Sequence, residues 1–154
     1  MASSELITGG CLCGAVRFEA GGDPELSVLC HCRMCQRASG APVSALLFLH
    51  ADRVTVTNGK TRAVEFSART WRHVCDHCAS PLFFTRDARP DLRAIFVGAL
   101  DDPGGFRPEM HVCVSSAMSW LEIRDDAPRY DEKPPGMSQT VGYDPATGQT
   151  VIPD

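Results

Sequence analysis

The sequence predicts a single-domain, mainly β protein with one or two short helices, held together in part by metal-bound cysteines. Apolar and polar residues alternate over short stretches, turn signals separate those stretches, and eight cysteines occur at short spacings. A chain of 154 residues is long enough for one domain with its own hydrophobic core. It therefore does not need disulfides to compensate for small size.

Six stretches of the chain are predicted to be strands. They either alternate with the period of two that is typical of a half-buried strand, or form apolar runs of strand length that would be buried on both faces. They are residues 15–19, 44–49, 53–57, 63–67, 82–84 and 94–97. Asn58-Gly59 is typical of a tight turn between two of them.

The helical signal is short. Residues 33–39 form the clearest helix, and Gly40 can end it because glycine adopts the left-handed backbone conformation at little cost. A second helical turn is predicted at residues 116–121. From Pro128 onward proline, glycine and aspartate are frequent, and Pro134-Pro135-Gly136 would interrupt any regular element, which indicates a tail on the surface.

Composition and charge exclude several functional classes. A net charge of −4 and a pI near 5.7 provide no basic patch for nucleic acid. No stretch indicates a membrane span, and the N-terminus lacks the charged flank and apolar segment of a signal peptide. We therefore expect a cytoplasmic protein. Thiols stay reduced in that compartment, so the cysteines are predicted to be metal ligands or reactive groups.

Seven of the eight cysteines are clustered. The groups are Cys11 with Cys13; Cys30, Cys32 and Cys35; and Cys75 with Cys78, while Cys113 stands alone. Residues i and i+2 of a strand point to the same face, so each Cys-x-Cys pair could grip one ion. The Cys-x-x-Cys turn at 75–78 is typical of half a tetrahedral zinc site.

These seven ligands divide naturally into four and three. A structural zinc site is closed by four protein ligands, whereas a catalytic site keeps one position open. Cys30, Cys32 and Cys35 are close enough in sequence to bind one ion as a triad. The remaining four, Cys11, Cys13, Cys75 and Cys78, would form the closed site. The sequence therefore predicts two Zn²⁺ ions per chain.

Two alternatives remain open at this stage. The thiols could simply be small buried hydrophobic groups, which free cysteines often are. The triad could also be closed by a further ligand, for which His31, His73, His77 and His111 are available, although each is expected to be solvated or hydrogen-bonded instead. Alternation places Cys113 on the face of His111, opposite Val112, and we expect it to fill space.

Four segments together resemble a known family. They are GGCLCGAVRFE at residues 9–19, CHCRMCQRASGA at 30–41, VCDHCASPLFF at 74–84 and PEMHVCVSSAMSW at 108–120. In this order they resemble the glutathione-dependent formaldehyde-activating enzymes, a family that includes the centromere protein V type of domain. The resemblance implies a β-tent domain at residues 6–130, followed by an irregular C-terminal tail at 131–154. Cys113 departs from the aromatic or aliphatic residue expected at its position.

The resemblance also implies the chemistry. The four-cysteine group matches the family's structural zinc site, and Cys30, Cys32 and Cys35 match its catalytic three-thiolate site. That site would coordinate glutathione as a co-substrate and add its thiol to formaldehyde, giving S-(hydroxymethyl)glutathione; the reverse is a carbon–sulfur lyase reaction. Glutathione has two carboxylates, so guanidinium groups should bind it. Arg33 and Arg37 are the candidates on the helix, and Arg69 and Arg72 precede Cys75.

Two other functions are compatible with the sequence. A non-catalytic zinc module that binds a partner protein would have both metal sites closed, with a histidine or Cys113 completing the triad. A redox or metal-storage protein would expose oxidisable thiols and lose one metal reversibly. The sequence leaves open which small-molecule thiol and electrophile are physiological, and whether the chains assemble into a homo-oligomer.

Overall fold

The computed structural model describes residues 5–137 and two short strands at 143–144 and 149–150. Within these residues the chain forms twelve β-strands and one α-helix, which confirms the mainly β prediction. The helix is α1 (Arg33–Ser39). The strands are β1 (Ile7–Gly10), β2 (Arg17–Ala20), β3 (Leu26–Cys30), β4 (Ser44–His50), β5 (Val54–Asn58), β6 (Thr61–Ser67), β7 (Thr70–Cys75), β8 (Pro81–Arg86), β9 (Arg89–Phe96), β10 (Met110–Val112), β11 (Tyr143–Asp144) and β12 (Gln149–Thr150). No helix among them is long and apolar enough to cross a membrane.

A seven-stranded sheet, in the order β10-β3-β4-β9-β8-β7-β6, forms the body of the fold. A three-stranded sheet, β1-β2-β5, packs beside it, and β11 pairs with β12. The strand pairs are antiparallel except that β10 runs parallel to β3. This register pairs Val112 with Cys30, so the chain leaving β10 runs alongside the chain leaving β3.

The two faces of the seven-stranded sheet form two hydrophobic cores. Side chains alternate along β4, so Leu47 and Leu49 contribute to one core, while Leu46 packs in the other. The first core joins both sheets, with the rings of Phe18 and Phe83 packed edge to face at 4.9 Å. Each core also contains cysteines from one of the predicted groups, so the sheet separates the two groups.

The predicted helix at 33–39 is confirmed, and its ends explain its length. Cys32 is the N-cap, because its sulfur accepts a hydrogen bond from the backbone N–H of Cys35 at 3.2 Å. Gly40 has φ 73° and donates its N–H to the carbonyl of Gln36. The helix therefore spans two turns.

The predicted helical turn at 116–121 is wrong. A 3-10 turn at Val114–Ser116 precedes it, and Ala117 is extended with ψ 143°, which ends that turn. A single hydrogen bond from the N–H of Leu121 to the carbonyl of Met118 forms the next turn. Consecutive short turns replace the helix because the backbone leaves the helical region between them.

The segment after Pro128 packs against β10. The N–H of His111 bonds to the carbonyl of Pro128, and the N–H of Cys113 bonds to the carbonyl of Glu132 at 2.9 Å. These bonds place residues 128–133 over the second core. The paired strands β11 and β12 lie in the region predicted to be irregular. The division into a domain at 6–130 and a tail at 131–154 stays a prediction.

Gly59→Ala should destabilise the fold more than Gly40→Ala. Both glycines have positive φ, 75° and 73°, where a side chain costs about 1 kcal/mol. A Cβ at Gly59 would also lie 2.1 Å from the carbonyl oxygen of Ala15, whereas nothing lies within 4 Å of one at Gly40. We expect Gly59→Ala to lower the free energy of unfolding in urea by more than about 2 kcal/mol. Equal losses in the two variants would contradict the close approach to Ala15.

Candidate metal centres

The first site contains Cys11, Cys13, Cys75 and Cys78, whose sulfurs all lie within 4.8 Å of one another. The sulfurs of Cys13 and Cys75 are 3.8 Å apart, and those of Cys11 and Cys13 are 3.5 Å apart. A disulfide would require about 2.05 Å, whereas four sulfurs around an ion at about 2.3 Å are separated by about 3.8 Å. This group can therefore hold a metal ion, as the sequence predicted.

Backbone N–H groups aim the sulfurs of the first site. Val16 donates its N–H to the sulfur of Cys11 at 3.2 Å, while His77 and Cys78 donate theirs to the sulfur of Cys75 at 3.4 Å. Cys11 and Cys13 lie in the turn after β1 rather than in a strand, so strand alternation does not bring them together. A turn whose backbone N–H groups bond to the sulfurs brings them together instead.

Ser80 connects the two halves of the first site. Its hydroxyl oxygen accepts the N–H of Leu12 at 3.1 Å and contacts the sulfur of Cys78 at 3.0 Å. The hydrogen bond with Ser80 lowers the pKa of Cys78 to about 5. Thiolate is the form that binds a metal ion, so this contact favours coordination.

The second site contains Cys30, Cys32 and Cys35, which are buried and whose sulfurs also lie within 4.8 Å of one another. Cys30 ends β3, Cys32 caps α1 and Cys35 lies in the first turn of α1. The transition from strand to helix, rather than a strand alone, brings these sulfurs together. The three cysteines predicted as a triad thus form a compact group that can hold a second ion.

Cys113, which is expected to fill space, is buried in the second core beside these three cysteines. Its φ is 59°, a left-handed value that is rare for cysteine, and this reverses the alternation at the end of β10. Cys113 and Val112 consequently line the same cavity. Hydrogen bonds from Cys113, then Cys30 and Cys35, lower the pKa of Cys32, and contacts with Cys30 and Cys32 raise that of Cys113.

Arg72 provides a test of whether an anionic metal cluster fits this site. The side chain is 5% exposed, and its Nε and Nη2 atoms have no hydrogen-bond partner among the described residues. Its guanidinium lies 4.9 Å from the Phe66 ring and 5.0 Å from the Phe96 ring, and its Nη1 donates to the carbonyl of Ala38. Burial lowers the pKa of Arg72, which is opposed by the nearby charge of Cys35 and Cys32.

A buried cation is stable when a nearby anion compensates it. Three thiolates around a divalent ion carry a formal charge of −1. The position of Arg72 therefore fits a metal-bound triad better than three neutral thiols. Arg72 was considered as a substrate contact from the sequence alone, but here it lies beside the cysteines within the fold.

The histidines form their own contacts. His31 Nε2 lies 3.0 Å from His111 Nδ1, and His111 Nε2 lies 2.9 Å from a carboxylate oxygen of Asp125. Because Arg129 also donates to His111 Nδ1 at 2.8 Å, that nitrogen is an acceptor and the Nε2–H of His111 points to Asp125.

The side chains of His73 and His77, the other two candidate ligands, make no contact with the cysteine sulfurs among the described residues. His73 bonds to Thr85, and His77 is exposed. Neither of the two cysteine groups found among the described residues includes a histidine.

A cavity of about 100 Å³ opens in front of the triad and Cys113. Apolar side chains form most of its wall, and Arg86, Glu132 and Lys133 are the charged residues that line it. Burial lowers the pKa of Lys133, which interacts with the charges of Arg86 and the cysteines. A groove of about 320 Å³ continues from the cavity and shares Phe48, Phe84, Arg86 and Met137 with it.

The two α1 arginines predicted to bind glutathione lie outside the wall of this cavity. Arg33 donates to the side-chain oxygen of Gln36 at 2.5 Å, and Arg37 is exposed. The described wall of the cavity includes neither of them. Gln36 in turn donates to the backbone carbonyls of His31 at 2.7 Å and Ser116 at 3.0 Å, so Arg33 helps to hold the loop between two ligands.

Sequence reasoning missed Arg86 and Lys133. Arg86 ends a strand that was predicted to be short and apolar, and Lys133 lies in the predicted tail. The clustering of proline after residue 133 indicates a chain reversal, but it does not reveal which surface the reversal covers.

Comparison with known proteins shows which proteins this chain is similar to. Residues 6–116 match a family described as glutathione-dependent formaldehyde-activating enzyme. A Halomonas elongata protein with the provisional name glutathione-dependent formaldehyde-activating enzyme is 31% identical over 127 residues, covering 77% of this chain and 81% of that protein. A crystal structure of a Rhodobacter sphaeroides protein aligns with a TM-score of 0.48 at 21% identity, covering 79% of this chain and 98% of the other.

Proposed function

Because the chain belongs to the family of glutathione-dependent formaldehyde-activating enzymes, we propose that it is a zinc-dependent carbon–sulfur lyase of the S-(hydroxymethyl)glutathione synthase type. In the synthetic direction the thiol of glutathione adds across the carbonyl of formaldehyde. A carbon–sulfur bond forms, and the thiol proton ends on the former carbonyl oxygen. The lyase reaction reverses these changes.

The observation that carries this proposal is a three-cysteine site in the wall of a cavity. The side chains of Arg86 and Lys133, both cationic, line the same wall. Cys30, Cys32 and Cys35 would hold one zinc ion, and Cys11, Cys13, Cys75 and Cys78 would hold a structural one. The ion at the triad supplies a position where a substrate thiol is bound as thiolate. Arg72 stabilises the resulting negative charge from within the core.

The cavity and groove would position glutathione. The reactive sulfur enters the cavity of about 100 Å³, while the rest of the tripeptide occupies the groove of about 320 Å³. Arg86 lines both the cavity and the groove and Lys133 lines the cavity, and both can form charge-assisted hydrogen bonds with carboxylates. We propose these two as the principal carboxylate contacts, and the assignment of Arg33 and Arg37 stays a prediction.

The proposal is tested by the rate of formaldehyde consumption with glutathione, measured above the uncatalysed reaction. Lys133→Met should raise KM for glutathione by about tenfold, because a charged hydrogen bond contributes about 1.5 kcal/mol or more. 2-Mercaptoethanol, which has no carboxylate, should show a much smaller rise in KM, because only the charge of Lys133 near the cysteines is then lost. Arg37→Met is the matched control, and its KM should remain unchanged.

Two results would contradict the proposal at different levels. If zinc-loaded wild-type protein does not accelerate formaldehyde consumption with either thiol, the enzymatic function is wrong. If Arg37→Met raises KM for glutathione and Lys133→Met does not, the chemistry stands but glutathione binds along α1.

A further inference from the structure

We propose that Cys113 is a displaceable fourth ligand of the second metal site, and that it occupies the coordination position that the substrate thiol takes. This inference rests on the proposed function, because it concerns the same ion and the same thiol. It adds a residue that competes with the substrate inside the protein. The resting site would then be closed by four sulfurs and opened by exchange.

The position of Cys113 provides the first argument. Its side chain packs in the second core with those of Cys30 and Cys32, lines the same cavity as they do, and is 7% exposed. It is not one of the three sulfurs that all lie within 4.8 Å of one another. Cys113 therefore stands beside an existing triad, on the side where the cavity opens.

The backbone at Cys113 provides the second argument. The left-handed conformation is held by hydrogen bonds from the Cys113 N–H to the Glu132 carbonyl and from the Ser116 N–H to the Cys113 carbonyl. These bonds restrain the main chain, so the sulfur moves by rotation of the side chain about its χ1 bond. The neighbouring cavity of about 100 Å³ offers space for that rotation.

Charge provides the third argument. A fourth thiolate changes the formal charge of the zinc cluster from −1 to −2. Arg72 interacts with Cys35 and Cys32 from the core, and Lys133 interacts with Cys113, Cys30 and Cys32 from the cavity. Two cations therefore lie near the cluster, Arg72 buried in the core and Lys133 in the cavity wall, which is the compensation that four thiolates require.

The exchange balances without another reactant. An incoming thiol gives up its proton as its sulfur takes the coordination position, and the departing Cys113 sulfur accepts that proton. One metal–sulfur bond forms and one breaks, and no electrons are transferred. Cys113 thus serves as ligand in the resting state and as proton acceptor during exchange.

The test uses protein that retains zinc in the four-cysteine site and carries cobalt(II) in the second site. Thiolate-to-cobalt charge-transfer absorbance increases with the number of bound sulfurs. Wild-type protein should show the intensity of four thiolates, and Cys113→Ser should lose about a quarter of it. Cys113→Gly is a second variant that accepts the left-handed backbone at no cost and should lose the same fraction.

Titration with glutathione tests displacement. Both variants should bind glutathione about tenfold more tightly than the wild type, because no internal sulfur has to leave, and binding should restore their charge-transfer intensity. Equal intensities in wild type and variants before glutathione is added would overturn ligation by Cys113. Equal glutathione affinities would overturn displacement.

Failure of the proposed function gives a different result from failure of this inference. If glutathione leaves the cobalt spectrum of both variants unchanged, no substrate thiol binds this metal, whatever the number of protein ligands. If calorimetry shows that glutathione binds the variants but not the wild type, Cys113 is a permanent ligand, which overturns the inference that it is displaceable.

Discussion

Cys75→Ser should leave the chain unfolded at 25 °C even in the presence of zinc. Cys75 is 0% exposed, belongs to the first core and is one of four ligands in a closed site. A structural zinc site contributes roughly 10–16 kcal/mol of apparent binding energy, and losing a ligand forfeits part of it. Since a domain of this size is stable by only about 5–15 kcal/mol, that loss is comparable with the whole stability.

The topology increases the loss of stability in Cys75→Ser beyond that expected from removing one of four ligands. Cys13 and Cys75 are separated by 62 positions, and they connect the turn after β1 with the end of β7. Without the ion, the three-stranded sheet is attached to the larger sheet by packing and a few hydrogen bonds. The predicted signature is loss of near-ultraviolet circular dichroism and of both metals.

Cys35→Ser is the matched control for this prediction. The triad spans residues 30–35, and the pairing of β10 with β3 holds Cys113 near it without metal, so losing this ion releases no distant part of the chain. The variant should retain the wild-type far-ultraviolet spectrum and about one zinc per chain. If Cys75→Ser instead folds with the wild-type denaturation midpoint, the ion bound by the four cysteines does not hold the two sheets together.

The metal ligands are the part of the site that the sequence predicts well. Their spacing restricts the geometry, because residues two or three positions apart in a turn or at a helix end cannot move far from one another. The short spacing restricts the geometry even outside a strand. Cys11 and Cys13 lie in a turn rather than in the expected strand, yet their sulfurs are 3.5 Å apart. The bounds of helix α1 likewise depend on nearby residues only, because its N-cap and Gly40 define both ends.

The residues around the metal depend on contacts between distant parts of the chain. Cys113 reaches the triad because β10 pairs in parallel with β3 and because its φ is positive, and neither property has a signature in the hydrophobic pattern. Lys133 reaches the cavity because residues 128–132 hydrogen-bond to β10. The buried position of Arg72 depends on β7 lying against the helix end, where it contacts Ala38.

Cys32→Ser should abolish glutathione-dependent formaldehyde consumption while the protein remains folded. Serine cannot replace a thiolate in the triad, and Cys113 would leave the ion when glutathione binds, so the second metal should be lost and the rate should fall to that of the uncatalysed reaction. Serine is, however, among the best N-cap residues, and its hydroxyl can accept the Cys35 N–H that the Cys32 sulfur accepts now. Metal content by elemental analysis and unfolding in urea should show about one zinc and a retained helix.

Cys32→Ala separates the two roles of this residue, because it removes the cap as well as the ligand. Both variants should be equally inactive and should have lost the same metal, but the alanine variant should be less stable than the serine variant by about 1 kcal/mol. Catalysis by either variant at more than a few per cent of the wild-type rate would refute coordination by Cys32. Equal stability of the two variants would leave the metal assignment intact and refute the cap, since the helix would then begin without the bond between Cys35 and Cys32.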